Sequence, residues 1–243
     1  FSLDFNTIAE QFTFARGSEA TYVDAQGLIQ STASNNAPRL DYSTGAEAFL
    51  LEPQSTNLIT YSEDFSNAYW IKSGASVVGG FNSPSGDLSA YKLVEDTSTG
   101  VHKVYSGFLS VTNGTTYTLS FFIKKGETNF AQILFGSTGF GNTHANFDLN
   151  LGEVGDLSGI NASSTITAFS NGWYKCTITA DSNLTTSSAL GIVLPISSKT
   201  SARQETYTGD GTSGIYIWGA QLEALSYATS YIPSNGSQTT RNQ

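Results

Sequence analysis

A chain of 243 residues, 39% hydrophobic and only 13% charged, is long enough to bury a sizeable core and too apolar to remain disordered, which leaves one large domain or a domain with a smaller appendage. Its formal net charge of -9, with 11 basic residues and no Lys/Arg cluster, argues against a phosphate-neutralising surface and hence against nucleic-acid binding. No apolar run approaches the roughly 20 residues that span a bilayer, so membrane insertion is not expected.

Phe1 to Phe5 lacks the basic and apolar regions of a secretory signal, and the expectation is a trimmed or processed boundary at position 1. Residues 1–54 read as an amino-terminal leader of short hairpins for assembly. Phe12 and Phe14 alternate. Thr21–Val23 and Leu28–Gln30 flank the loop Asp24-Ala-Gln-Gly27, and Arg39–Tyr42 and Ala48–Leu51 flank Ser43-Thr-Gly45. These pieces are too short to form a core alone, so they are expected to pack on the body or on a partner chain.

Pro53 ends the leader, and Asn57–Trp70 opens the body with the apolar pair Leu58 and Ile59 and the aromatic anchors Phe65 and Trp70. A single helical turn fits Glu63–Ala68. Beyond it the period is 2: in Tyr117–Lys124, Tyr117, Leu119, Phe121 and Ile123 share one face, with Thr118, Ser120 and Lys124 opposite. Further strands are predicted at 75–78, 90–94, 101–109, 130–135, 145–149, 165–169, 173–179, 190–194 and 215–222, separated by turns such as Asn113-Gly114 and Asn171-Gly172. No fixed-period repeat is present. The predicted fold is all-β: an antiparallel β-sandwich of jelly-roll type over residues 55–233, preceded by the hairpin leader and followed by a polar tail, 234–243, that ends as a surface arm.

The phrases Asn57-Leu58, Asp64-Phe65, Trp70, Gly114–Phe121, Gly172–Cys176 and Ile215–Leu222, in this order, resemble the jelly-roll carbohydrate-binding modules appended to glycanases. Phe14–Ile29, Ala37–Tyr42, Leu51–Leu58 and Tyr227–Pro233 resemble the phage virion proteins, associated with tail and head fibres, that join such a module to a leader. That resemblance implies a non-enzymatic adhesin or decoration protein at the virion surface. Its partners would be other virion proteins or copies of itself, with a homo-oligomer favoured, and host surface polysaccharide as a ligand. The alternative is an accessory module of a secreted polysaccharide-degrading enzyme. The resemblance also implies a structural calcium, but the places of its carboxylates are taken by Ser66 and by Trp218 or Gly219, so no metal or other cofactor is expected there; Glu63, Asp64 and Glu223 are left as a shifted set.

Catalytic chemistry has little support. His102 and His144 lack metal or triad spacing, and the lone Cys176 reads as a buried, inert thiol. The pairs Glu63/Asp64 and Glu95/Asp96 would point to opposite faces of an extended strand, which is wrong for glycoside hydrolysis. Gly136–Asn142 and Gly209–Gly214 lack a phosphate-loop ending and read as connections. Trp70, Trp173 and Trp218 read as core. A third reading, an autonomous enzyme, would require carboxylates converging in a cleft with perturbed pKa values. Sugar binding needs aromatic faces beside amides and carboxylates; the candidates are His102, Tyr105, Lys124, Gln132, Asn146 and Asp148 on a shallow sheet face, with Phe140 at a loop tip.

Overall fold

The computed structural model describes residues 14–32 and 35–243; Phe12 of the expected first alternation lies outside the described residues. Two six-stranded antiparallel sheets pack face to face. Sheet one runs, in spatial order, Glu153–Ser158, His144–Asp148, Phe130–Leu134, Ile192–Ile196, Lys103–Ser106 and Trp70–Ser73. Sheet two runs Ser163–Ala168, Trp173–Asp181, Thr116–Lys125, Gly214–Glu223, Ala90–Glu95 and Ala75–Phe81. This is the jelly-roll sandwich expected from the alternation. Its inner faces supply one core, in which Val104, Ala131, Ile133 and Phe147 of sheet one meet Leu93, Leu119, Phe121 and Ile178 of sheet two.

Phe65 and Trp70 anchor that core as the sequence suggests: both are buried, their ring centroids lie 4.7 Å apart, and Phe121 lies 6.4 Å from Phe65. The connection between them is a turn and not the expected helical turn, because Asp64 Oδ1 accepts the backbone N–H of both Ser66 and Asn67. Cys176 is buried and free, with its thiol pushed well up by burial.

Sheet two is covered on its outer face as well. Phe122, Trp173 and Trp218 project outward and are sealed by Ile29 of the leader and Tyr231, forming a second aromatic cluster. Trp218 and Tyr231 lie 4.5 Å apart between centroids, and Phe122 meets both edge-on at 5.4 and 6.0 Å. Gly219 makes this possible. It sits at a register break between Ser120 and Phe122, has a φ of +60°, and a Cβ there would stand 2.9 Å from the Phe122 ring.

Both predicted leader hairpins form, as Thr21–Val23 with Ile29–Ser31 and Leu40–Asp41 with Ala48–Phe49. They dock on the body of the same chain through a buried polar latch. Glu52 accepts hydrogen bonds from Arg39 Nη1 at 2.7 Å and from the backbone and side chain of Ser230 at 2.7 and 2.6 Å, and Arg241 Nη1 lies 3.0 Å away. Against the burial that would raise it, the Ser230 hydroxyl and Arg241 hold the Glu52 carboxyl below its ordinary range. The expected surface arm is therefore corrected for Thr239–Arg241. This segment pairs with Ser55–Asn57, and Arg241 is 1% exposed because its guanidinium also reaches Thr229, Ser230 and the Pro53 carbonyl.

Candidate functional site

The sheet face proposed from alternation exists but is closed. Gln132 and Asn146 are adjacent on the outer face of sheet one and hydrogen-bond each other at 2.7 Å, yet both are fully buried. The segment 197–206 lies across them: Gln132 bonds the Ala202 carbonyl and the Gln204 N–H, while Asn146 donates to the carbonyls of Lys199 and Ser201. Their amides are thus spent on the chain's own backbone. Beside them Leu134, Ile192, Leu194 and Ile196 form a buried apolar cluster, with Tyr105 half-buried at its margin.

The other predicted residues do not join this pair at an open surface. His102 is buried, with Nδ1 2.5 Å from the Gly74 carbonyl, Nε2 3.2 Å from that of Tyr207, and the Tyr207 ring 4.7 Å away. Asp148 caps the turn after its strand by accepting the N–H groups of Asn150 and Leu151. Lys124 belongs to sheet two, in register with Trp173 and Tyr216. Phe140 is 1% exposed and stacks on Phe135 at 4.4 Å, so it fills the core where a loop-tip contact was considered. His144 bonds the Asn142 carbonyl.

The open concavity lies elsewhere, beside the bulged edge of sheet two. Strand Ala75–Phe81 pairs with Ala90–Glu95 until the register shifts between Gly79 and Phe81. Gly80, at φ +95°, has nothing within 4 Å of where a Cβ would stand, and this leaves a groove of about 410 Å³. Leu88, Tyr91 and Pro233 give it apolar surface, and Glu63, Asp64, Ser89 and Asn235 give it polar groups. Tyr91 is held in place: its hydroxyl donates to Asp64 Oδ1 at 3.1 Å and its ring meets Phe65 edge-on at 5.9 Å. A second recess of about 430 Å³ shares Glu63 and Pro233 with the first and adds Asp87, Gln30 and the Trp218 edge, whose Nε1 donates to Ser89 Oγ at 2.7 Å.

Glu63 and Asp64 overturn the argument that adjacent carboxylates must diverge. They lie in a turn, not an extended strand, and both line the groove. Their surroundings push them apart: burial, with Asp87 nearby, raises Glu63 despite a hydrogen bond from the Tyr231 hydroxyl, whereas the Ser66 hydroxyl, the Tyr91 hydroxyl and backbone N–H groups lower Asp64. Glu223, the third member of the shifted metal set, is buried among Ser55, Gln221 and Thr229. No three His, Cys, Asp or Glu side chains come together as a metal site among the described residues.

Tyr91, Leu88 and Asn235 were missed as site residues. The one signal for them was Gly79-Gly80 interrupting Val77-Val78 and Phe81, a doublet that marks a bulge on an edge strand.

The sequence matches no protein-family model and no curated protein. Among solved structures, the chain is similar to Clostridium thermocellum endo-1,4-beta-D-xylanase 10B, as its CBM22-1 and GH10 modules complexed with xylohexaose. Identity is 14%, coverage is 74% of this chain and 30% of that chain, and the TM-score is 0.37. It is also similar to a carbohydrate-binding module studied for specific mannan recognition, at 11% identity, over 72% of this chain and 98% of that one, with a TM-score of 0.32. The chain thus spans less than a third of the xylanase chain's length.

Proposed function

We propose that this chain is a non-enzymatic display and attachment component of a phage virion, a fibre or decoration protein at the particle surface, whose groove beside Tyr91 takes a glycan of the host surface. The observation that carries the binding part is the composition of that groove: an aromatic ring, a leucine and a proline next to two carboxylates, a hydroxyl and an amide. A sugar ring presents the complementary surface, with apolar C–H on one side and hydroxyls at the rim. Among the described residues no Lys or Arg lines this groove, so its carboxylates disfavour acidic polysaccharides and neutral or amine-bearing glycans fit best. The virion part is supported by the resemblance of the leader and of Tyr227–Pro233 to phage proteins; Arg39, Glu52 and Ser230, from those phrases, form the latch.

Glycan-array screening of the purified chain, followed by titration calorimetry, tests the binding part. Tyr91→Ala and Asp64→Asn are each expected to weaken binding by about tenfold or more, a loss of about 1.4 kcal/mol. No binding above background to any neutral or amino glycan would sink the proposal. Binding is also expected to weaken on acidification, since Glu63 accepts hydrogen bonds from hydroxyls more strongly as a carboxylate and loses that form as pH falls through its raised pKa. Titration calorimetry across that interval, with Glu63→Gln losing the pH dependence, checks this.

The opposite shifts of Glu63 and Asp64 are the pattern of an acid and a nucleophile in glycoside hydrolysis, and they favour that as the second reading. Release of reducing ends from a bound oligosaccharide decides between the two, and the proposal expects none. Immunogold microscopy of the parent particle tests the virion assignment.

A further inference from the structure

We propose that strand Ser163–Ala168 is a dimerisation edge, through which two copies of this chain pair antiparallel about a two-fold axis and join their second sheets into one. A sheet edge exposes unpaired N–H and C=O groups, and proteins block such edges with bulges, charges, short strands or covering loops. Three of the four edges here are blocked. Ala75–Phe81 carries the bulge at Gly80. Trp70–Ser73 is only four residues long and carries Lys72. Glu153–Ser158 has a register break, Asp156 N–H is taken by the Lys199 carbonyl at 2.8 Å, and Lys199 pairs with Glu153 at 2.7 Å.

Among the described residues, the fourth edge has none of these devices. Ser163–Ala168 pairs with Trp173–Asp181 in unbroken register from Ser163 opposite Thr179 to Ala168 opposite Tyr174, with no proline and no charge. The uncharged run is longer than the strand. From Leu157 to Tyr174 there is no Asp, Glu, Lys, Arg or His, in a chain whose net charge of -9 otherwise opposes the approach of two copies. Exposed Leu157 and Ile160 lie just ahead of the strand.

The strand is also self-complementary. Ser163, Thr165 and Thr167 face outward, opposite Thr179, Thr177 and Lys175, while Ile166 faces the core opposite Cys176. An axis through Thr165 sets Thr165 against its own copy, Ser163 against Thr167 and Ser164 against Ile166. Each pair then lies on one face of the joined sheet, giving a hydroxyl ladder outside, a pairing that antiparallel sheets favour.

Sedimentation equilibrium at micromolar concentration is expected to give twice the 25.8 kDa of one chain. Thr165→Lys, which places two ammonium groups together, should weaken dimerisation by about tenfold or more while leaving far-UV circular dichroism unchanged and lowering the melting temperature no further than dilution of the wild type to the monomer does. Thr165→Cys should oxidise to a covalent dimer, the native Cys176 being buried. Val78→Cys, on the bulged edge, should stay monomeric under the same conditions. A wild-type mass of one chain, a dimer that survives Thr165→Lys, or crosslinking at position 78 as fast as at 165 would each overturn the proposal.

Discussion

Glu52→Gln should lower the unfolding free energy by about 3 kcal/mol, which for a chain of this size is roughly 6–12 °C in melting temperature. The reason lies in what the carboxylate neutralises. Arg39 and Arg241 are 5% and 1% exposed, and both direct a guanidinium nitrogen at Glu52. An amide at position 52 keeps the shape but leaves two buried cations without their shared anion, and turns N–H groups toward one of them. Breaking a buried pair from one side costs more than the pair contributes net, because the remaining charge stays desolvated. The loss should be local at first. Amide exchange should rise in the hairpins around Thr21–Ser31 and Leu40–Phe49 while the central strand Thr116–Lys125 keeps its protection.

The same carboxylate gives a pH dependence of known sign. Its folded pKa lies below the ordinary value of 4.5, so the stabilisation is fully present above 4.5 and drains away as pH falls through the lowered value. Wild-type protein should therefore lose leader protection on acidification below 4.5, and Glu52→Gln should show a flatter profile there. Equal acid sensitivity in the two proteins would show that the latch is not set by Glu52.

Asn57→Ala should cost about 3–5 kcal/mol, and Asn57→Asp at neutral pH no less, as read from denaturant unfolding. Asn57 is fully buried and uses its whole amide. Nδ2 donates to the carbonyls of Ala220 and Ile232 at 3.1 and 2.9 Å, and Oδ1 accepts the N–H groups of Ile59 and Leu222, both at 3.1 Å. The side chain thus satisfies four backbone groups on three segments, which also bond one another directly, Leu58 N–H to the Leu222 carbonyl and Ser234 Oγ to the Ile59 carbonyl. Alanine leaves all four unpaired in the interior. Aspartate keeps the two acceptor contacts but presses an anion against two carbonyl oxygens, so its penalty should shrink as pH falls. A loss under 1 kcal/mol in both variants would mean that the segments or buried water re-pair these groups.

Much of the sandwich was legible because its inner face obeys a strict period of two. Thr116–Lys125 carries Tyr117, Leu119, Phe121 and Ile123 inward, and hydrophobic burial selects that pattern directly. What alternation concealed was the covering of the outer faces. Phe122 breaks the pattern by standing next to Phe121, and Ile192-Val-Leu-Pro-Ile196 is apolar throughout; both mark strands buried on two sides. Gln132 and Asn146 looked like binding groups for the same reason that they are buried polar groups: an amide on an outer face pairs equally well with a sugar or with a crossing loop. Which of these occurs depends on the path of 197–206, which has no period to read. The groove was hidden differently. It is built from a turn, a bulge and a segment past position 230, and only the fold brings Asp64, Gly80 and Asn235 to one place.

The Arg241 hydrogen bond to the Pro53 carbonyl spans 188 positions. On a ribosome that separation becomes time. Thr21–Ser31 can curl into its hairpin as soon as it emerges, since all its pairing is local, but Glu52 has to wait for almost the whole body to be synthesised before its second arginine exists. Until then Phe122 and Trp218 lack both their lid and its lock, and the nascent sheet presents an aromatic face to any chaperone or neighbouring chain. Slowing synthesis just before position 241 should therefore prolong the one interval in which this chain is most exposed to misassembly, although none of its strands has been altered.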